Sequence, residues 1–348
     1  MTSPAAPRFR ALAVIASAVL VLGLATACSS GETTAKESDN SITVYSGRSE
    51  KLIKPILDAF TKQTGIAVEA RYGDSAELAA QLIEEGDKTP ADVFLSQDAG
   101  ALGAVAQAGL LGALPIGSID AIPAEYRASD NTWVGVTGRA RVIAYDGRTI
   151  KADEVPTSVL DLTKPKYKGQ VAIAPTNASF QAFVTAMRLG EGEDVAKKWL
   201  EDMKANGVKS YEKNSQILDA VDKGQIDFGL INHYYWYEKA AEVGEDKMRA
   251  QIAFTEPGDA GSLVNVAGAG VLKPSIADAD SLAFIDYLLS KPIQKVFVEE
   301  TKEYALVPGV AQVPGLAALE SLKGPDVNLA DLADLPATLK LLQEVGLT

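Results

Sequence analysis

From residue 41 onward, apolar and polar positions follow two alternating rhythms. Residues 42–45 (Ile-Thr-Val-Tyr) read as a strand, and Leu52, Ile53, Ile56, Leu57 and Phe60 then recur at helical spacing up to Gly65, a helix stop. Pro55 inside that pattern predicts a late start or a kink, because proline lacks an N–H for the helical ladder. Residues 66–72 read as a second strand, 76–85 as a helix closed by Gly86, and 92–96 as a third strand. This alternation argues for an α/β fold with a mostly parallel sheet and helices on both faces. Ligands of such sheets sit beyond the carboxyl ends of the strands. Those ends carry small or polar residues here: 46–49 (Ser-Gly-Arg-Ser), 73–75 (Gly-Asp-Ser) and 96–98 (Ser-Gln-Asp).

A second block has the same character. Residues 138–145 and 171–174 are strand-like, and 180–189, 195–206 and 215–222 are helical. The apolar strand 228–231 delivers the run Asn-His-Tyr-Tyr-Trp-Tyr-Glu at 232–238. Residues 268–272 return as a strand before helical stretches at 280–289 and 293–300. There is no internal repeat.

Composition narrows the chemistry. A chain of 348 residues that is 47% hydrophobic fits a soluble protein of two domains, and a net charge of −13 argues against nucleic-acid binding. With one Cys and one His, neither an internal disulfide nor a usual Cys/His zinc or iron–sulfur site can form, so a bound metal must be held mostly by oxygen. The sequence lacks the common metalloprotease, nucleophile-elbow, P-loop and dinucleotide motifs, which weighs against an enzyme.

The N-terminus reads as an address. Arg8 and Arg10 precede a 14-residue apolar stretch, 11–24, too short for the ~20 residues of a membrane-spanning helix. Small residues 25–27 lead to Cys28, resembling a lipobox whose Cys becomes the lipidated first residue of the mature chain. Ala25 stands where leucine is usual, and the alternatives are a plain secretory signal or a buried free Cys. The expected division is a signal peptide at 1–27 and a lipidated Cys with a polar tether at 28–40, which places the protein in the cell envelope, anchored on the extracytoplasmic face of the membrane.

The strongest local signal is the aromatic run 234–237. Such runs usually pack a core. Neighbouring side chains on a strand or a helix diverge, so Tyr234 and Tyr235 can converge only at an irregular strand-to-helix junction, where this run falls. Two phenolates sharing a site suit a hard cation such as Fe(III). Asn232 is a plausible helix cap, and the helix start beside it favours anions. His233 either packs or serves as a further ligand.

Taken together, residues 42–47, 60–65, 84–94, 108–111, 138–141, 167–169, 213–215, 230–236 and 268–272 resemble the substrate-binding proteins of bacterial iron(III) ABC importers, in the type II periplasmic-binding-protein and transferrin-like superfamily. The resemblance implies two α/β lobes joined by a two-strand hinge that crosses near Arg139 and Asn265. Lobe one would be 41–139 plus 265–316, and lobe two 140–264 plus 317–348. It implies Fe(III) as cargo on Tyr234 and Tyr235, with a synergistic carbonate or phosphate held by Asn177, Ala178, Ser179, Asn214 and Asn232, and Arg139 a further candidate. It also implies a monomer that delivers cargo to a permease driven by a separate ATPase.

Two positions depart from that pattern. Ser49 stands where many members have a His ligand and Gln97 where they have a Glu, and 176–180 lacks the tyrosine of another branch. Ser49, Gln97 and Asp98 are therefore the expected lobe-one contacts, the ion being completed by anion, water, Asp98 or a chelate such as citrate. Two other readings are a receptor of the same fold for an organic anion such as a phosphonate, and an extracytoplasmic enzyme using Asp98 and Tyr235 as acid and base.

Overall fold

A computed structural model describes residues 40–348. The expected signal peptide, Cys28 and all of the tether but Asn40 lie outside the described residues. Among the described residues no helix is long and apolar enough to cross a membrane.

Among the described residues, ten strands alternate with eleven helices. The strands are β1 (Ser41–Ser46), β2 (Ala67–Tyr72), β3 (Val93–Ser96), β4 (Val134–Asp146), β5 (Val171–Ile173), β6 (Lys209–Ser210), β7 (Phe228–Asn232), β8 (Ala250–Ala253), β9 (Val264–Val271) and β10 (Tyr304–Ala305). The helices are α1 (Glu50–Thr64), α2 (Ser75–Glu85), α3 (Ala99–Gln107), α4 (Ile116–Ile119), α5 (Ala178–Glu191), α6 (Glu193–Ala205), α7 (Asn214–Asp222), α8 (His233–Val243), α9 (Ala279–Leu288), α10 (Lys291–Thr301) and α11 (Leu335–Val345).

The strands run in the order β2-β1-β3-β9-β4-β7-β5-β6, with β8 and β10 also pairing with β4. The outer strands pair in parallel, β1 with β2 and β3, and β5 with β6 and β7. β4 and β9 run antiparallel to their neighbours. All thirteen residues of β4 are buried. Residues 134–140 of it pair with β9, and 141–145 pair with β7. One strand thus serves two sheets, which accounts for the two-lobed α/β architecture. The pattern-based reading started this strand at 138, four residues late. The alternation it relied on disappears where a strand is buried on both faces.

Local chemistry explains the ends of the elements. Gly65 closes α1 with φ at 80°, a left-handed cap that glycine adopts without strain. Pro55 neither delays nor ends this helix, which begins at Glu50 and buries Ile53, Ile56, Leu57 and Phe60. Burial of that face outweighs the one ladder bond the proline removes. Gly47 is required by closeness: a Cβ there would fall 1.9 Å from Ser75 Oγ. It thereby lets the β1–α1 loop, which carries Arg48 and Ser49, lie against the start of α2.

One large apolar cluster includes residues of α1, α3, α5, α6 and α9. A smaller one lies under α7 and α8, where Trp236 is buried and its indole N–H donates to the Ala250 carbonyl at 2.7 Å. That contact fixes the rotation of α8. The C-terminal segment divides: residues 329–333 lie against α3, while α11 packs on α5 and α6.

Candidate metal and anion site

β7 ends where it pairs Asn232 with Arg141 of β4, and α8 begins at His233. Tyr234 and Tyr235 therefore occupy the first turn of α8, before the helix has spread its side chains apart. Their rings stack with centroids 4.3 Å apart and planes 28° from parallel, and both are partly exposed. Burial, followed by the neighbouring Tyr235 oxygen, pushes the Tyr234 phenol well above its ordinary range, with the Arg139 charge opposing. The Tyr234 hydroxyl thus keeps its proton at neutral pH until a cation displaces it.

His233 is fully buried and has no free nitrogen. Its Nδ1 accepts from the Ala140 N–H at 3.1 Å, and its Nε2 donates to the Lys302 carbonyl at 3.0 Å. The ring is therefore a strut between β4 and the end of α10, not a metal ligand. Replacing it with Ala strands both backbone groups, and we expect His233→Ala to lose about 3 kcal/mol in urea unfolding. Burial holds the ring's pKa down to about 4. The unfolded chain protonates this His near pH ~6.5, so in iron-free protein its contribution to stability declines as pH falls from there toward the folded value.

The residues expected to hold an anion are joined by hydrogen bonds. Asn177 caps α5: its Oδ1 accepts from the Ser179 N–H at 3.1 Å and from Ser179 Oγ at 2.6 Å. Asn214, the first residue of α7, donates Nδ2 to Ser179 Oγ at 2.9 Å and to Asn177 Oδ1 at 3.2 Å. Arg141 completes the cluster, its Nη1 donating to Ser179 Oγ and to Asn232 Oδ1, each at 3.2 Å. The starts of α5, α7 and α8 are thus gathered around one guanidinium, with Ala178 in the first turn of α5. Burial lowers the Arg141 pKa to about 10, which leaves it charged at neutral pH.

Several buried polar atoms of this cluster lack hydrogen-bond partners. Arg139 Nε and Nη2, Arg141 Nη2 and the Asn214 Oδ1 acceptor have none. Residues 139 and 141 are two apart on a strand, so both guanidinium groups leave the same face of β4. That spacing in Gly-Arg-Ala-Arg at 138–141 is the sequence signal for Arg141, which is not among the expected anion contacts. Glu303 was also missed. It is 3% exposed and forms a two-pronged ion pair with Arg48, which is 255 positions away in sequence. Burial alone would raise its pKa, but Arg48, Arg139 and Thr137 more than offset this and hold the carboxyl below its usual range.

The expected lobe-one contacts differ in their surroundings. Ser49 is exposed at the start of α1 and makes no capping bond. Gln97 is exposed, and its backbone N–H donates to Ser75 Oγ at 2.9 Å. Asp98 caps α3, its Oδ1 accepting from the Ala101 N–H at 3.0 Å. Burial raises the Asp98 pKa, with the Ala101 bond and the Arg139 charge opposing. None of the three hydrogen-bonds to the tyrosines. Among the described residues no group of three or more His, Cys, Asp or Glu could hold a metal ion. A cavity of ≈ 690 Å³ lined by Tyr126, Val264 and Leu306 includes neither the tyrosines nor the arginines. It lies toward the opposite face of β4, where a Cβ on Gly138 would meet Leu306 and Val264.

The chain is similar to known proteins over nearly all of the described residues. Residues 88–321 match the family described as bacterial extracellular solute-binding protein. An Fe(3+)-binding periplasmic protein of Serratia marcescens is 36% identical over 314 residues, 90% of this chain and 92% of that one. An iron-bound structure of HitA from Pseudomonas aeruginosa has a TM-score of 0.80 at 34% identity, covering 88% of this chain and 99% of that one. A Trichodesmium protein (IdiA, FutA) in complex with iron and citrate gives a TM-score of 0.78 at 28% identity, covering 88% of this chain and 100% of its own.

Proposed function

Because the chain belongs to the bacterial extracellular solute-binding proteins and, among them, to the ferric iron-binding periplasmic proteins, we propose that it is an extracytoplasmic receptor that takes Fe(III) or a ferric chelate between two lobes and delivers it to an ABC importer. It is a binding protein and not an enzyme. The observation that carries the reading is the stacked pair Tyr234 and Tyr235 beside two buried arginines with unpartnered donors.

The chemistry follows from charge. Deprotonated phenols are hard oxygen donors suited to Fe(III). The resident cationic charge of Arg139 and Arg141, with the first turn of α5, suits an oxyanion such as carbonate or phosphate that also touches the iron. Only two protein ligands are in reach of this reading. The other positions fall to the anion, water or a chelate such as citrate, with Ser49, Gln97 and Asp98 offering hydrogen bonds. Closure of residues 41–139 plus 265–316 over 140–264 plus 317–348, with 329–333 staying against α3, would be driven by a ligand that touches both lobes at once. The receptor would act as a monomer, held to the membrane by a lipid on Cys28, and its partner would be a permease with its ATPase.

Equilibrium dialysis tests this. We expect about one iron per chain, bound more tightly when carbonate or phosphate is added. Colourless protein that binds methylphosphonate and no iron would instead favour the organic-anion receptor.

A further inference from the structure

The Glu303 carboxylate sits where three parts of the chain meet: the loop before α1, strand β4, and its own position between α10 and β10. Arg48 donates Nη1 to Oε1 and Nη2 to Oε2, each at 3.0 Å. Thr137 Oγ1 adds a bond to Oε2 at 2.6 Å. Arg139 Nε is 4.0 Å from Oε1, too far for a hydrogen bond, and both that nitrogen and Nη2 have no partner. All four groups are buried.

Two guanidinium groups thus compete for one carboxylate. Arg48 holds it in the planar fork that matches a carboxylate best, and Thr137 occupies a further lone pair. Arg139 feels the negative charge, which helps keep it in the buried site, but its Nε and Nη2 donors are left unused. An anion receptor needs that combination. A guanidinium already locked onto an internal carboxylate could not receive an external oxyanion without breaking the pair, which is costly in a buried setting.

We propose that Arg48 is a positioning residue for the anion that accompanies the cargo: by occupying Glu303 it keeps the donors of Arg139 free. This deepens the proposed function and rests on the reading of Arg139 as an anion contact. It assigns a role to a residue whose two terminal nitrogens are held by Glu303. Without Arg48, Glu303 turns onto Arg139 and becomes an internal substitute for the anion. Neutralising both members of the pair releases Arg139 again.

The test compares iron affinity with and without added carbonate or phosphate, read as a ratio, in four proteins: wild type, Arg48→Met, Arg48→Lys and the double variant Arg48→Met/Glu303→Gln. In wild type the ratio exceeds one; a ratio of one would overturn the Arg139 reading itself and this inference with it. In Arg48→Met the ratio falls by roughly tenfold, and in the double variant it returns to within about threefold of wild type. Arg48→Lys, which keeps the charge without the fork, lies between. A purely structural pair would not restore the anion response on neutralisation. A wild-type ratio in Arg48→Met, or a double variant as unresponsive as the single one, overturns the inference. Breaking a buried pair destabilises the fold, so circular dichroism accompanies each protein. If Arg48→Met does not fold, Arg48→Lys decides: a reduced ratio supports the inference and a wild-type ratio overturns it.

Discussion

Tyr235→Phe is expected to weaken iron binding by roughly a hundredfold to ten-thousandfold, the range seen when one partner of a buried, charge-assisted contact is removed. Tyr234→Phe should do the same, and the double variant should bind no iron at micromolar concentration. The reasoning is geometric. The rings stack face to face at the start of α8, so losing one oxygen leaves the other in place and the fold intact. Trp236 anchors the helix through its bond to Ala250, which neither change removes. Competition against a coloured iron chelator measures the affinities. Wild-type affinity in the double variant would show that the ion sits elsewhere.

The second large effect is that of acid. Each phenol must lose its proton to bind iron, and burial keeps the Tyr234 phenol protonated at neutral pH. Proton and iron compete for the same oxygens, so the apparent affinity falls as pH falls, by up to about two powers of ten per pH unit while two protons are released. The sign is reinforced at Tyr234, where burial favours the neutral phenol. In Tyr235→Phe one proton remains to be displaced, and the slope should drop to about one power of ten per unit. Chelator competition at several pH values, with the anion concentration fixed, reads the slope directly. A pH-independent affinity in wild type would contradict phenolate ligation.

Much of this was legible in the sequence because the signals were local. The run of apolar residues to Gly65, the helix stop at Gly86 and the short strand 228–231 each depend on neighbours in the chain, and each element ends within a residue of where the pattern ends it. The convergence of Tyr234 and Tyr235 was also legible, since it follows from a strand giving way to a helix at His233. The cluster of Asn177, Ser179 and Asn214 came from resemblance, and the hydrogen bonds among them give it a physical basis.

What stayed hidden was long-range. The sequence leaves His233 either packing or serving as a further ligand, and both its nitrogens are taken by backbone groups from residues 140 and 302. Glu303 lies in a stretch with no motif, and nothing local says that Arg48 will meet it. Asp98 looked available as an acidic side chain at a strand end, but such positions are also helix starts, and its oxygen caps α3. A carboxylate at the beginning of a helix serves the helix first.

The most direct measurement is the visible absorption spectrum of the purified protein as Fe(III) is added in steps. Two phenolates on one ferric ion predict a charge-transfer band that grows until about one equivalent is bound and is absent from the Tyr234→Phe/Tyr235→Phe protein. Tight binding of iron with no such band, or the same band in the double variant, would contradict the account.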